Sequence, residues 1–147
     1  MSNGWQVIRD INTSKALGTQ IQFSPNEKIT LNSSTFVEDQ PIFSGRSLRL
    51  FHNFYGDFEL SKKIRLIAGF DFGWQDDLLL SVNNQRTWLG QVLIIQYKFS
   101  ETYAVAARQE YYSDPDGVII GSDNLQSYSL NFDYSINKKA MLRLEGK

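Results

Sequence analysis

The chain is dominated by an alternation of apolar and polar residues with a period of two. In the segment 64–74, Ile64, Leu66, Ala68, Phe70, Phe72 and Trp74 alternate with Arg65, Ile67, Gly69, Asp71 and Gly73. A helix would spread both sets around its circumference, whereas a strand places them on opposite faces. The pattern returns over 125–136, where Tyr128, Leu130, Phe132, Tyr134 and Ile136 alternate with Ser127, Ser129, Asn131, Asp133 and Ser135. Over 48–60, Leu48, Leu50, Phe54, Phe58 and Leu60 oppose Arg49, Asn53, Tyr55, Asp57 and Glu59. Over 103–112, Tyr103, Val105, Ala107 and Tyr111 oppose Ala104, Ala106, Arg108 and Glu110. Segment 89–99 is apolar on both faces, with Leu89, Leu93, Ile95, Tyr97 and Phe99 as its outer set and Gln96 and Lys98 opposite. Weaker alternation over 16–24, 28–37 and 140–147 predicts three more strands. The eight segments run about 8–13 residues each, close to the ~9–11 of a tilted membrane-spanning strand, and no helical stretch intervenes.

The connections fall into two classes. Residues 24–28, 60–63, 99–102 and 136–139 are tight polar turns, while 38–47, 75–86 and 113–124 are long. Short and long alternate along the chain, which predicts an all-β, antiparallel up-and-down meander of about eight strands. Tight turns at one end and long loops at the other are the plan of an outer-membrane β-barrel. With the tight turns on the periplasmic side, an even number of strands puts both ends of the chain on the long-loop side. Residues 1–14 then form a loop or terminal segment. The expectation is a single domain over 1–147, either a barrel or a fragment of a larger one completed by association.

Composition narrows the function. Fifteen Lys+Arg against sixteen Asp+Glu leave a formal charge of −1, which does not suit a nucleic-acid binder. The chain has no cysteine and one histidine, His52, which excludes disulfide scaffolds, Cys-ligated metals and multi-histidine metal sites. Mean hydropathy is −0.34, and no apolar run approaches the ~20 residues of a spanning helix. Alternation hides membrane strands from such averages. Met1-Ser2-Asn3-Gly4-Trp5 lacks the basic start and apolar stretch of a signal peptide.

The stretch Ala107-Arg108-Gln109-Glu110-Tyr111-Tyr112-Ser113-Asp114-Pro115-Asp116-Gly117 resembles the R-x-E-Y-Y-x-D-P-D-G segment of the OmpL-like β-barrel porins. The resemblance continues through Gly69-Phe70-Asp71, Tyr128-Ser129-Leu130-Asn131-Phe132-Asp133-Tyr134 and Leu142-Arg143-Leu144-Glu145-Gly146. Asn3-Gly4-Trp5-Gln6 and Lys15-Ala16-Leu17-Gly18 also fit. The whole chain is similar to the middle-to-late part of such a protein, particularly forms from Bacteroidetes-type bacteria. The resemblance implies an outer-membrane location, contact with outer-membrane lipid or detergent, and a role in passive diffusion of small solutes. It names no solute.

The polar faces carry Arg49, Asp57, Glu59, Arg65, Asp71, Lys98, Arg108, Glu110, Asp133, Arg143 and Glu145. In a wide barrel such residues line a pore and tune what passes. In a closed eight-stranded barrel, which holds little beyond its own side chains, they form an interior ion network. Arg108/Glu110 and Arg143/Glu145 share one spacing, which predicts a ladder of structural ion pairs between two strands. On the apolar faces, Phe70, Phe72, Trp74, Tyr97, Tyr103, Tyr111, Tyr128, Phe132 and Tyr134 are expected to face lipid. The aromatics near strand ends, Trp88 and Tyr112 among them, suggest two girdles at the membrane interfaces.

The catalytic and metal readings are weaker. Asp114-Pro115-Asp116-Gly117 reads as a turn, since Pro presets one dihedral and Gly accepts positive φ. It also opens like a Ca²⁺ loop near Asp123, but Leu125 stands where that loop needs Glu. His52 has no serine on its own strand face to make a hydrolase pair. Asp76-Asp77 lie in a loop, where hydration explains them. Lys62-Lys63 and Lys138-Lys139 read as solvated turn tips. There is no nucleotide-binding glycine motif. The reading is therefore a non-enzymatic barrel without metal or cofactor. Its alternative is a soluble lipocalin-like barrel that turns the apolar face inward around a small apolar ligand.

Overall fold

Each alternating segment forms a strand: β1 (Ala16–Asn26), β2 (Ile29–Ile42), β3 (Gly45–Glu59), β4 (Ile64–Asp76), β5 (Gln85–Lys98), β6 (Tyr103–Ser113), β7 (Asn124–Asn137) and β8 (Ala140–Gly146). In this computed structural model, which describes residues 16–42, 45–76, 85–121, 124–137 and 139–147, the strands make one antiparallel sheet in sequence order. No helix occurs among the described residues.

The tight turns have a shared mechanism. Asn26 Oδ1 accepts the Lys28 amide at 2.9 Å, and Asn137 Oδ1 accepts the Lys139 amide at 2.8 Å. Ser61 Oγ accepts the amides of Lys63 and Ile64 at 3.2 and 3.1 Å. Ser100 Oγ accepts those of Thr102 and Tyr103 at 3.1 and 3.2 Å. In each case a short polar side chain at the strand exit takes up amides that the ladder no longer satisfies.

One expected long loop is not a loop. Residues 38–47 lie mostly in strand, with Glu38 opposite Arg49, Asp39 opposite Leu48 and Ile42 opposite Gly45. The polar run Glu38-Asp39-Gln40 with Pro41 looks like a breaker in sequence. Here Glu38 and Ser47 belong to the polar face and are each 2% exposed. The β6–β7 connection is long as expected, and the β4–β5 connection 77–84 lies outside the described residues.

The register carries one set of residues across all eight strands. Phe23, Leu31, Phe54, Phe70, Leu93, Ala107, Leu130 and Leu144 share a face, and Asn53, Asp71, Gly90, Glu110 and Ser127 share the other. The apolar face is the exposed one: Phe70 is 46% exposed, Leu130 59% and Leu144 75%. The polar face holds Asn32, Trp88, Ala106 and Asp133, all buried. This face is concave, because Arg65 and Ile67 of β4 line the same 270 Å³ cavity as Arg143 and Glu145 of β8, four strands away. The outward run of β4, Ile64 to Trp74, is ten residue steps, roughly 33 Å along the strand. At a barrel tilt of about 40° it rises roughly 25 Å, the height of the apolar band of outer-membrane barrels.

The sheet is open. β1 and β8 make no contact with each other among the described residues, and each has one unpaired edge. β8 covers only the tight-turn half of β7, since Gly146 lies opposite Leu130.

Candidate functional site

The concave wall is built by strand parity. Arg49, Asp57, Glu59, Arg65, Asp71, Lys98, Arg108, Glu110, Asp133, Arg143 and Glu145 all project from the polar face. Neighbouring strands pair many of them. Arg65 donates from Nε to Asp57 Oδ1 at 2.8 Å and from its second nitrogen to Oδ2. Arg143 grips Asp133 through two bonds of 2.7 and 2.9 Å, and Asp133 is 3% exposed. Arg49 Nε donates to Gln75 Oε1 at 2.9 Å, and Asn53 Nδ2 donates to Asp71 Oδ1 at 2.5 Å.

The expected ladder between Arg108/Glu110 and Arg143/Glu145 does not form. β7 lies between β6 and β8. Arg108 bonds Glu110 within its own strand, and Arg143 takes Asp133 of β7 directly opposite it. Spacing within a strand gave the face of these residues but not their partners; the meander order itself puts β7 between the two strands.

Two aromatics assigned to the girdles turn inward. Trp88 lies opposite Gly73, is 2% exposed, and its ring occupies the space a glycine Cβ would fill, 2.1 Å from that position. Tyr112 lies opposite Gly90 with its ring against it. The glycines at 73 and 90 are the signal: each vacates wall space for an aromatic on the next strand. The other aromatics take the outer face. Tyr103 stacks on Phe132 and Tyr134 with centroids 5.9 and 5.3 Å apart, and Tyr97 meets Phe99 edge-on at 5.0 Å. This cluster lies at the tight-turn end. Trp74 and Tyr111 lie towards the other end, Tyr128 further along its strand, and Phe70 and Phe72 between.

His52 sits on the outer face of β3. Its Nδ1 is 2.8 Å from Thr35 Oγ1 and its Nε2 3.5 Å from Ser33 Oγ. Register on β2 supplies a serine that inspection of one strand misses. A nucleophile–base pair also needs a third group to orient the base and donors for an oxyanion. Thr35 is not a carboxylate, and the amides of β2 and β3 lie in the ladder. The cluster is a polar notch in the apolar belt.

The Asp114-Pro115-Asp116-Gly117 motif is a turn, closed by the Gly117 amide bonding the Asp114 carbonyl at 3.1 Å, with Gly117 at φ 65°. The fully buried Asp114 carboxylate accepts the amides of Val118, Ile119 and Ile120 at 2.7 to 2.8 Å. Burial pushes this carboxyl up, but the amides of Ile120, Ile119, Val118 and Gly121 together outweigh it and hold it below the ordinary carboxylate range. Asp116 accepts the Thr87 amide at 2.8 Å and ties the loop to β5. Both carboxylates thus serve backbone amides. Residues 1–14, Lys15, Asp77, Asp123 and Lys138 lie outside the described residues.

Over residues 1–147 the chain matches the family model described as beta-barrel porin-2, OmpL-like. No curated protein and no solved structure matches it.

Proposed function

The chain belongs to the OmpL-like beta-barrel porin family, and from that premise we propose that it forms part of the wall of an outer-membrane channel for passive diffusion of small solutes. The family implies an outer-membrane location and a porin role. The observation that carries the reading is orientation. All eight strands point large apolar side chains outward, most of them exposed, on a sheet whose ionic face curves inward and keeps only a few apolar side chains such as Ile67, Trp88 and Ile94. In water, leaving each such side chain uncovered forgoes about 1.5–3 kcal/mol. Lipid covers them without a partner protein. A lipocalin-like binder needs the same residues around a central ligand, and they lie on the other side.

The eleven charged residues named above then line the solute path, and the outward aromatics anchor the band at its two interfaces. The open edges of β1 and β8 are where further strands close the wall. β1 carries no charged residue from Ala16 to Asn26, so apart from Pro25 beside its turn it lacks the charges that commonly protect a sheet edge. For this chain alone, a second copy supplies the missing pairing, and the opposite directions of β1 and β8 suit an antiparallel join.

Planar-bilayer recording of the refolded chain tests the function. Discrete conductance steps with no requirement for an energy source are expected. A chain that stays monodisperse without detergent and leaves the bilayer silent would overturn the reading.

A further inference from the structure

The turn tips carry an uneven charge, and its consequence rests on the channel reading above. A cavity of about 330 Å³ opens on the inner face at the tight-turn end, and Lys28, Lys62, Lys63 and Lys98 line it with Glu27 and Glu59. Arg65 and Asp57 also reach it, but they neutralise each other. All four lysines are exposed, and none makes an ion pair among the described residues. The segments that carry them are laced together by backbone bonds: Lys98 N donates to Lys63 O at 2.8 Å, and Glu59 N donates to Lys28 O at 2.7 Å. Four ammonium groups against two carboxylates is a local cationic excess in a chain whose net charge is −1.

We propose that this lysine cluster makes the tight-turn mouth attract small soluble anions bearing phosphate or carboxylate groups, so that the channel passes anions in preference to cations. Fixed charge at the mouth of a low-dielectric wall focuses the field into the opening. It acts over about one Debye length, ~10 Å at 0.1 M salt. Exposed lysines attract without gripping, which conduction requires. Coulomb energy scales with charge, so pyrophosphate gains more than chloride.

The test is the reversal potential in a KCl gradient across a planar bilayer. The expected sign is that of anion preference, growing as ionic strength falls. The variant Lys28→Glu, Lys62→Glu, Lys63→Glu should shift it towards cations. It alters only turn-tip side chains, since the turn bonds of Lys28 and Lys63 come from their amides. A cation-preferring native channel, or a reversal potential the variant does not move, would overturn the inference while leaving the channel intact. If no channel forms, the channel reading fails by itself. Pyrophosphate titrated onto the detergent-refolded chain then decides the inference. Saturable NMR shifts at Lys28, Lys63 and Lys98 are expected, at least about threefold weaker in affinity in the variant. Absent shifts overturn it, as does preference of the same signals for a phosphatidylglycerol headgroup over pyrophosphate.

Discussion

The two ion pairs of the β6–β8 wall differ in what they are worth. Asp133 is nearly inaccessible and accepts two bonds from Arg143, whereas the side chains of Arg108 and Glu110 are 44% and 34% exposed. Asp133→Ala removes the acceptor from a half-exposed guanidinium, and should cost about 1–3 kcal/mol. Glu110→Ala should cost below about 1 kcal/mol, because water screens the pair. Urea unfolding in detergent or lipid ranks them, and equal losses would contradict this. Gly73 makes a second residue-scale case. A methyl there meets the Trp88 ring at 2.1 Å, so Gly73→Ala should destabilise by about 1–3 kcal/mol. Adding Trp88→Leu should recover part of that loss, measured by the same unfolding. Parity along a strand made legible the face of the eleven charged residues singled out from the sequence, though not of Glu38 or Arg86, which the sequence put in loops. What it left hidden were relations between strands: Trp88 over Gly73, Ser33 near His52, Asp133 as the partner of Arg143.

Strands were legible because the alternation has no competing period, and the weakly patterned 16–24, 28–37 and 140–147 still pair in antiparallel ladders, irregular only beside the tight turns. The miss at 38–47 has a physical reason. A polar run argues for a loop in a protein with a dry core, but in a sheet whose inner face is ionic it is ordinary strand. The β6–β7 loop carries its own anchor, and its behaviour with pH follows from Asp114. This carboxyl titrates lower folded than unfolded, so its contribution is present above the unfolded value near 3.8. It is lost as pH falls towards the folded value. Amide protection at Val118, Ile119 and Ile120 should therefore hold at about pH 5 and fall progressively as the pH is taken below 3.8. Protection unchanged throughout an acid titration that leaves the sheet folded would show that these amides do not depend on the carboxylate.

At the scale of the whole molecule, one asymmetry governs the rest: the apolar face is convex and open, the ionic face concave. Two consequences are separable. The open edges mean that the detergent-refolded chain should associate, and light scattering should give a protein mass that is a multiple of 16.9 kDa. A stable monomer would confine edge pairing to strands within one chain. Facing itself is tested most directly by site-directed spin labelling in lipid vesicles, for which a chain with no cysteine needs no background mutations. Labels at Leu66, Phe70, Phe72, Leu130 and Phe132 should collide with oxygen dissolved in the acyl chains. Labels at Ile67, Asp71, Ser129 and Asn131 should collide with an aqueous nickel chelate. The opposite alternation, with the chelate reaching Phe70 and Leu130, would contradict the account at its root.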